Sequence, residues 1–343
     1  MNAPRTAPSI WWWAFGYFAC YVPYAALTKI LSKGYVDTGG TPVDSLELLA
    51  PSVLAAVIAL VVFLVATGWW RKAGRRTVFG VSVPMPGRLT ALSGLCSSGI
   101  IVTTTLAYTF DDVGLVFVAL LMRGGVLVIA PVIDRLTGRK VQWFSLVALG
   151  LSLAALVAAF ASSGDTRLPL LCAIDISLYL GCYFTRFLIM SRTAKTKDPS
   201  TNLRYFVEEG MVSAPALLLM IAIASLVWSG ANGDALRAGW TTFYERPNWW
   251  LGLAAGVLSQ GTGIFSGLIF LDPRENAFCV PVNRVSGVLA VLGASLWLHA
   301  SYGAKAPNDE EWIGAALIVL AIGFLTIPPA LAKARALRAQ AAL

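Results

Sequence analysis

Residues Leu115–Ile133, LVFVALLMRGGVLVIAPVI, form an apolar run long enough to cross a bilayer as a helix, with one charge, Arg123, at its centre. At 1.5 Å per residue from a helix start near residue 113, Arg123 falls roughly 15 Å into a ~30 Å hydrocarbon layer. A guanidinium at that depth costs on the order of 2.5–3.5 kcal/mol on insertion scales, so its presence is a sign of function. Its own helix offers no partner, because the positions three and four away are Ala119, Leu120, Val126 and Leu127. Whatever satisfies Arg123 comes from another helix, from water or from a ligand.

The rest of the chain has the same character. Hydrophobic residues make up 57% of it and charged residues 13%, with a mean hydropathy of +0.71. Soluble domains carry about 25% charged residues, so the composition predicts an all-α polytopic membrane protein. The net charge of +8 does not indicate a nucleic-acid partner, because the charges sit in short loops between apolar runs. The N-terminus has one arginine, a tryptophan triplet and no small-residue cleavage site, and reads as the start of a retained helix. The five cysteines (Cys20, Cys96, Cys172, Cys182, Cys279) show no Cys-x-x-Cys and lie in or beside apolar runs, which marks them as packing residues. A lone histidine, His299, cannot build a metal site.

Working outward from Leu115–Ile133, ten spans are predicted. They run at about Trp11–Leu31, Leu46–Thr67, Leu89–Phe110, the opening stretch, Val141–Ala161, Leu168–Met190, Leu203–Trp228, Trp249–Leu271, Ala277–Leu298 and Trp312–Ala330. With both termini inside, the inner segments hold 17 of the 26 lysines and arginines and the outer segments 6, which favours this orientation over its inverse. The outer loops carry Asp37, Asp44, Asp111, Asp112, Asp309, Glu310 and Glu311.

An internal repeat sharpens the picture. Asp111 precedes Arg123 by 12 residues, and Asp272 precedes Arg284 by 12. Each aspartate follows a span bearing Gly, Ser and Thr, and each arginine lies inside the next span. A Trp-led apolar helix comes after each, from Trp143 and from Trp312. Residues 9–163 and 167–331 therefore read as two five-helix halves, with 332–343 a basic cytoplasmic tail. An odd number of crossings inserts the second half upside down, the inverted-repeat plan of secondary transporters, with substrate between the halves near the midplane.

Ten helices as five plus five, with Met122-Arg123-Gly124-Gly125 in the fourth span and then Arg139-Lys140-Val141-Gln142, resemble the drug/metabolite transporter superfamily. Its EamA-type, nucleotide-sugar, triose-phosphate-translocator-like and chloroquine-resistance-type carriers share this layout, and the resemblance covers nearly the whole chain. In the phosphate-translocating branch, basic residues on the fourth and ninth helices bind the substrate's phosphate; the resemblance assigns that role to Arg123 and Arg284. The chain departs from that branch in having Asn283, not a second basic residue, before Arg284, and in lacking a tyrosine on the eighth span.

Arg284 is as isolated on its helix as Arg123, with Val280, Pro281, Gly287 and Val288 around it. Pro281, one turn earlier, is expected to kink or break the helix and expose backbone to a cavity. Both arginines facing that cavity would hold an anionic group bidentately. The plain alternative is a cross-helix ion pair with Asp175, Glu208 or Glu47. Candidate substrate contacts are Arg123, Arg284, Asn283, Tyr108, Thr104, Gln260 and Tyr183, although helix–helix hydrogen bonding accounts for the hydroxyls and amides equally well. Asp175, Glu208 and Arg186 are candidates for charge compensation or proton coupling. Snorkelling competes for Arg186, reach to water for Asp175, and helix capping for at least one of Glu208 and Glu209.

No nucleophile–base arrangement, metal-spaced cluster or phosphate loop is present in the sequence, so neither an enzyme nor a cofactor is expected. The expected function is alternating-access transport of a small organic solute, anionic or with an anionic end (phosphorylated or carboxylated), with exchange the expected mode. The alternatives are a flippase for a lipid-linked phosphate substrate on the same fold, and a non-transporting membrane protein such as a complex subunit. The expected location is a bacterial inner membrane, as monomer or homodimer.

Overall fold

The computed structural model describes residues 9–35, 42–78, 81–107, 115–160, 169–304, 306, 312–314, 316, 317, 319–328 and 331. Tyr108, Asp111, Asp112 and the tail 332–343 lie outside the described residues. The helices are α1 Ile10–Lys33, α2 Ser45–Ala66, α3 Arg88–Ala107, α4 Leu115–Leu136, α5 Trp143–Phe160, α6 Leu170–Thr193, α7 Pro199–Val227, α8 Ala231–Trp240, α9 Trp249–Phe270 and α10 Asn276–Tyr302. A further helix, α11, runs over Trp312–Pro328. Among the described residues, five helices (α2, α6, α7, α9 and α10) are long and apolar enough to cross a membrane. The chain is a helical, multi-pass membrane protein in this sense.

Two features lay outside the expected spans. The basic loop after α2 holds a two-stranded hairpin, β1 Arg75–Val78 paired antiparallel with β2 Val81–Pro84. The loop expected before Trp249 contains α8 and a 3₁₀ turn, Thr242–Glu245. The α7 helix also begins earlier than Leu203. Asp198 accepts hydrogen bonds from the backbone N–H of Ser200 (3.0 Å) and Thr201 (3.2 Å), and Pro199 takes the first helical position. An acceptor at the cap and a proline with no N–H to waste are the chemistry of a helix start.

Contacts at the helix ends show which ends lie together. Asp134 near the end of α4 meets Asn276 at the start of α10, and Lys195 after α6 meets Phe270 at the end of α9. The hairpin lies at this end, because Glu208 on α7 accepts from the backbone N–H of both Gly74 (2.9 Å) and Gly87 (3.0 Å), which flank it. At the opposite end, Arg246 forms a two-pronged pair with Glu47 at the start of α2, and Tyr35 stacks on Tyr302. These are called the hairpin end and the α8 end.

Packing follows membrane rules, in which small residues let helix backbones approach because apolar side chains gain little over lipid. A Cβ on Gly256 of α9 would collide with the Ser52 carbonyl of α2. A Cβ on Gly94 of α3 would sit 2.9 Å from the Glu209 carbonyl of α7. The helix pairs packing most closely include α1 on α9 and α10, α2 on α9, α8 and α7, α3 on α6 and α7, α4 on α6, α5 and α10, and α5 on α10. Large buried side chains, Phe187, Phe270, Phe278, Leu127 and Ile133, fill the spaces between them.

Candidate functional site

Arg123 and Arg284 each occupy the ninth position of their helix, α4 and α10. At 1.5 Å per residue each lies about 12 Å from its helix start. Both are half-buried. Among the described residues Arg123 has no hydrogen-bond or ion-pair partner. Arg284 makes one long contact, Nη2 to the Tyr183 hydroxyl at 3.4 Å, and its guanidinium carbon lies 5.6 Å from the centre of the Tyr183 ring. Its Nε is buried with no acceptor among the described residues. A guanidinium presents five N–H groups and wants acceptors in its plane, so Arg284 is under-satisfied.

Tyrosines gather around these two cations. Tyr183 stacks edge-to-face on Tyr179, one turn away on α6, with centroids 4.9 Å apart. On α1, Tyr17 packs edge-to-face on Tyr21 at 5.4 Å, and both lie against Gly287 of α10, one turn from Arg284. Tyr17 and Tyr179 each lie within electrostatic range of both arginines. The groups that act most strongly on Arg284 are the phenols of Tyr183, Tyr179 and Tyr17. Four helices, α1, α4, α6 and α10, thus bring two guanidiniums and four phenols into one region.

Two of the three acids that could have neutralised the arginines are committed elsewhere, and the third does not reach them. Glu47 is paired with Arg246. Glu208 is no cap of α7, since it lies well inside the helix. It holds the base of the hairpin, accepting also from the Thr90 hydroxyl (2.7 Å) and Arg204 Nε (2.7 Å). That removes Glu208 as a compensating group for the central arginines. Asp175 is 4% exposed, and neither carboxylate oxygen has a partner among the described residues. Reach to water is therefore not its situation, and no described cation lies in its electrostatic range.

Arg186 does not snorkel. It makes a bidentate pair with Glu209, Nε to Oε1 at 2.7 Å and Nη2 to Oε2 at 3.0 Å, with its guanidinium over the Phe270 ring. Glu209 also accepts from Ser93 (2.8 Å) and Ser97 (3.3 Å), and Ser93 shares a short hydrogen bond with Tyr205. This buried network spans α3, α6 and α7. In the sequence its traces were an arginine near the inner end of the sixth predicted span and a glutamate near the opening of the seventh.

The remaining candidates are less engaged with the arginines. Asn283 is 2% exposed and donates to the Ser266 hydroxyl at 3.0 Å, tying α10 to α9. The Thr104 hydroxyl returns to the Ile100 carbonyl of its own helix at 2.6 Å. Gln260 is half-buried on α9 and has no hydrogen-bond partner among the described residues. Pro281 does not break α10, which is continuous and buried through that turn. Asp272 pairs with Arg274, two residues on, at 2.7 Å. A separate apolar groove between α2, α3, α7 and α8, lined by Leu49, Val102, Leu217 and Trp228, contains none of these residues.

No protein-family model matches the sequence, and no curated protein matches it. Among solved structures, 27 chains match. One is a crystal structure with a TM-score of 0.54 and 16% identity, which covers 94% of this chain and 98% of its own. At that identity the likeness is one of fold, and it extends over almost the whole of both chains.

Proposed function

We propose that the chain is a secondary-active carrier of a small organic anion, built as two inverted five-helix halves in the manner of the drug/metabolite transporter superfamily. The observation that carries the reading is the central pair of guanidiniums, Arg123 and Arg284, held among tyrosines with no carboxylate partner among the described residues. A protein that buries two cations without compensating acids loses several kcal/mol unless a ligand supplies the missing charge.

The packing supports the inverted halves. Matching α1 to α6, α2 to α7, α3 to α9 and α4 to α10 turns three packed pairs into three others: α1–α9 into α6–α3, α3–α7 into α9–α2, and α1–α10 into α6–α4. The close glycine contacts follow the same rule, Gly94 on α3–α7 and Gly256 on α9–α2. So do the tyrosine pairs on α1 and α6 and the ninth-position arginines on α4 and α10. With the hairpin end inside, the basic loops fall in the cytoplasm. Ten crossings then place both arginines near the midplane, one from each half.

Two uncompensated cations also bear on coupling. Reorienting the empty site would carry unpaired charge through an occluded state, so the loaded carrier moves faster than the empty one and exchange dominates. A thermal-shift screen of the purified protein against phosphorylated, carboxylated, cationic and neutral solutes tests the reading. Anions should raise the melting temperature of the wild type and not of Arg284→Ala. Stabilisation by cations or neutral solutes alone would overturn it.

A further inference from the structure

The hairpin end of the bundle carries a set of polar contacts that no site residue uses, and those of Asp134, Arg139 and Ser145 join the first half of the chain to the second. Asp134, near the end of α4, is fully buried, and its carboxylate faces the start of α10. One oxygen accepts from the Asn276 backbone N–H (2.8 Å) and side-chain amide (2.7 Å), the other from the Ala277 N–H (2.7 Å). The residue at the N-cap position of α10, Glu275, makes no side-chain cap bond of its own. The first-turn N–H groups of a helix have no partners within it, and a carboxylate there also meets the positive end of the dipole. Asp134 therefore caps α10 from a different helix, in the other half.

The neighbouring contacts follow the same line. Arg139, just after α4, donates to the carbonyls of Pro273 (3.0 Å), Ser191 (3.3 Å) and Lys195 (3.1 Å). Ser145 at the start of α5 donates to Glu275 at 2.8 Å. Lys195, 3% exposed, donates to the Phe270 carbonyl at 2.8 Å. Behind this clasp, every residue of α10 from Asn276 to Asn283 is buried, up to Arg284. Cys279 lies there with no exposed surface, its sulfur 3.5 Å from Lys195 Nζ.

We infer that the Asp134 clasp is the gate at this end of the molecule. It closes the route between Arg284 and the hairpin face by capping α10, and it opens by releasing that cap. The contacts are hydrogen bonds to helix ends and a turn, which part and re-form without repacking an apolar core, and water replaces them when they part. The inference rests on the carrier reading, which assigns Arg284 to the substrate site.

The natural cysteines provide the test. Cys279 is shielded at the clasp, whereas Cys172 is equally shielded near the α8 end of α6. Maleimide labelling of the full-length protein, read peptide by peptide by mass spectrometry, measures opening at each end separately. In Asp134→Asn, which keeps the size but puts an amide against N–H donors, Cys279 should label about tenfold faster, the effect of losing ~1.4 kcal/mol of capping. Cys172 should be unchanged. Ser145→Ala, which removes one clasp bond and leaves the α10 cap, should give a smaller rise at Cys279. Unchanged Cys279 labelling in Asp134→Asn overturns the gate. Equal rises at Cys279 and Cys172 also overturn it, because they report general loosening. The readout needs no substrate, so a clasp that opens in a protein that exchanges no anion refutes the carrier reading and leaves the gate standing.

Discussion

Arg186 and Glu209 lie 23 residues apart in sequence, on adjacent helices, and form the most completely satisfied buried ion pair among the described residues. Removing either partner strands the other charge, along with Ser93 and Ser97. Arg186→Leu or Glu209→Leu should each lower stability by ~3–5 kcal/mol, whereas the double substitution should recover much of that loss. Denaturant titration of the solubilised protein followed by intrinsic fluorescence reads this directly. If the singles unfold like the wild type, the pair is not the buried link it is described as. The contrast with Arg284 is instructive. Two arginines at similar burial differ in that one has a carboxylate in its plane and the other has a tyrosine ring and a stranded Nε. No sequence rule separates them, because the difference lies in which helix comes alongside. The sequence did mark Arg186 as an oddity in a span, but its distance from the helix end suggested a side chain reaching for headgroups.

At the scale of elements, the long apolar runs were legible, and so were the charged residues inside them. Starts and short elements were not. The α7 start was hidden because Lys195, Lys197 and Asp198 made residues 191–202 look like a polar loop, although Asp198-Pro199 carries the cap chemistry. Misplacing that start put Glu208 and Glu209 near the opening of the span, where acids cap, when both are buried well inside the helix. The hairpin Arg75–Val78 and Val81–Pro84 is too short and too basic to announce itself. It is held by Glu208 from 121 residues away or more. The Asp198 cap makes a pH prediction. Its carboxyl is held down at about 2, chiefly by hydrogen bonds from the Thr201 and Ser200 side chains and the Ser200 N–H. A depressed carboxylate contributes stability that is full above its unfolded value, ~3.9, and is lost as pH falls toward the folded value. The melting-temperature difference between wild type and Asp198→Ala should therefore be constant above pH ~5 and shrink between pH ~4 and about 2. A difference that grows on acidification would contradict the cap. Because Asp198 is exposed, the effect should be small and should weaken with salt.

At the scale of the whole molecule, the matched packing of the helices and the paired arginines and tyrosines fit one scheme, in which each half contributes one cation and one phenol pair to a shared centre. The 12-residue Asp–Arg spacing pointed to that scheme for a partly different reason. Asp272 serves Arg274, and what α4 and α10 share is the arginine position itself. On the proposed carrier reading, the hairpin end, where Asn276–Asn283 are buried and Asp134 caps α10, is the closed side of the route. The most direct test of the central claim is counterflow in proteoliposomes. Vesicles are loaded with unlabelled phosphorylated or carboxylated solutes and given the same solute, labelled, outside. Wild-type protein should accumulate label only when the loaded solute is present. Arg123→Ala and Arg284→Ala should each cut that rate by roughly 30-fold or more, as expected from losing ~2 kcal/mol or more at a buried charge-assisted contact. Counterflow that persists at the wild-type rate in both folded variants would contradict the account.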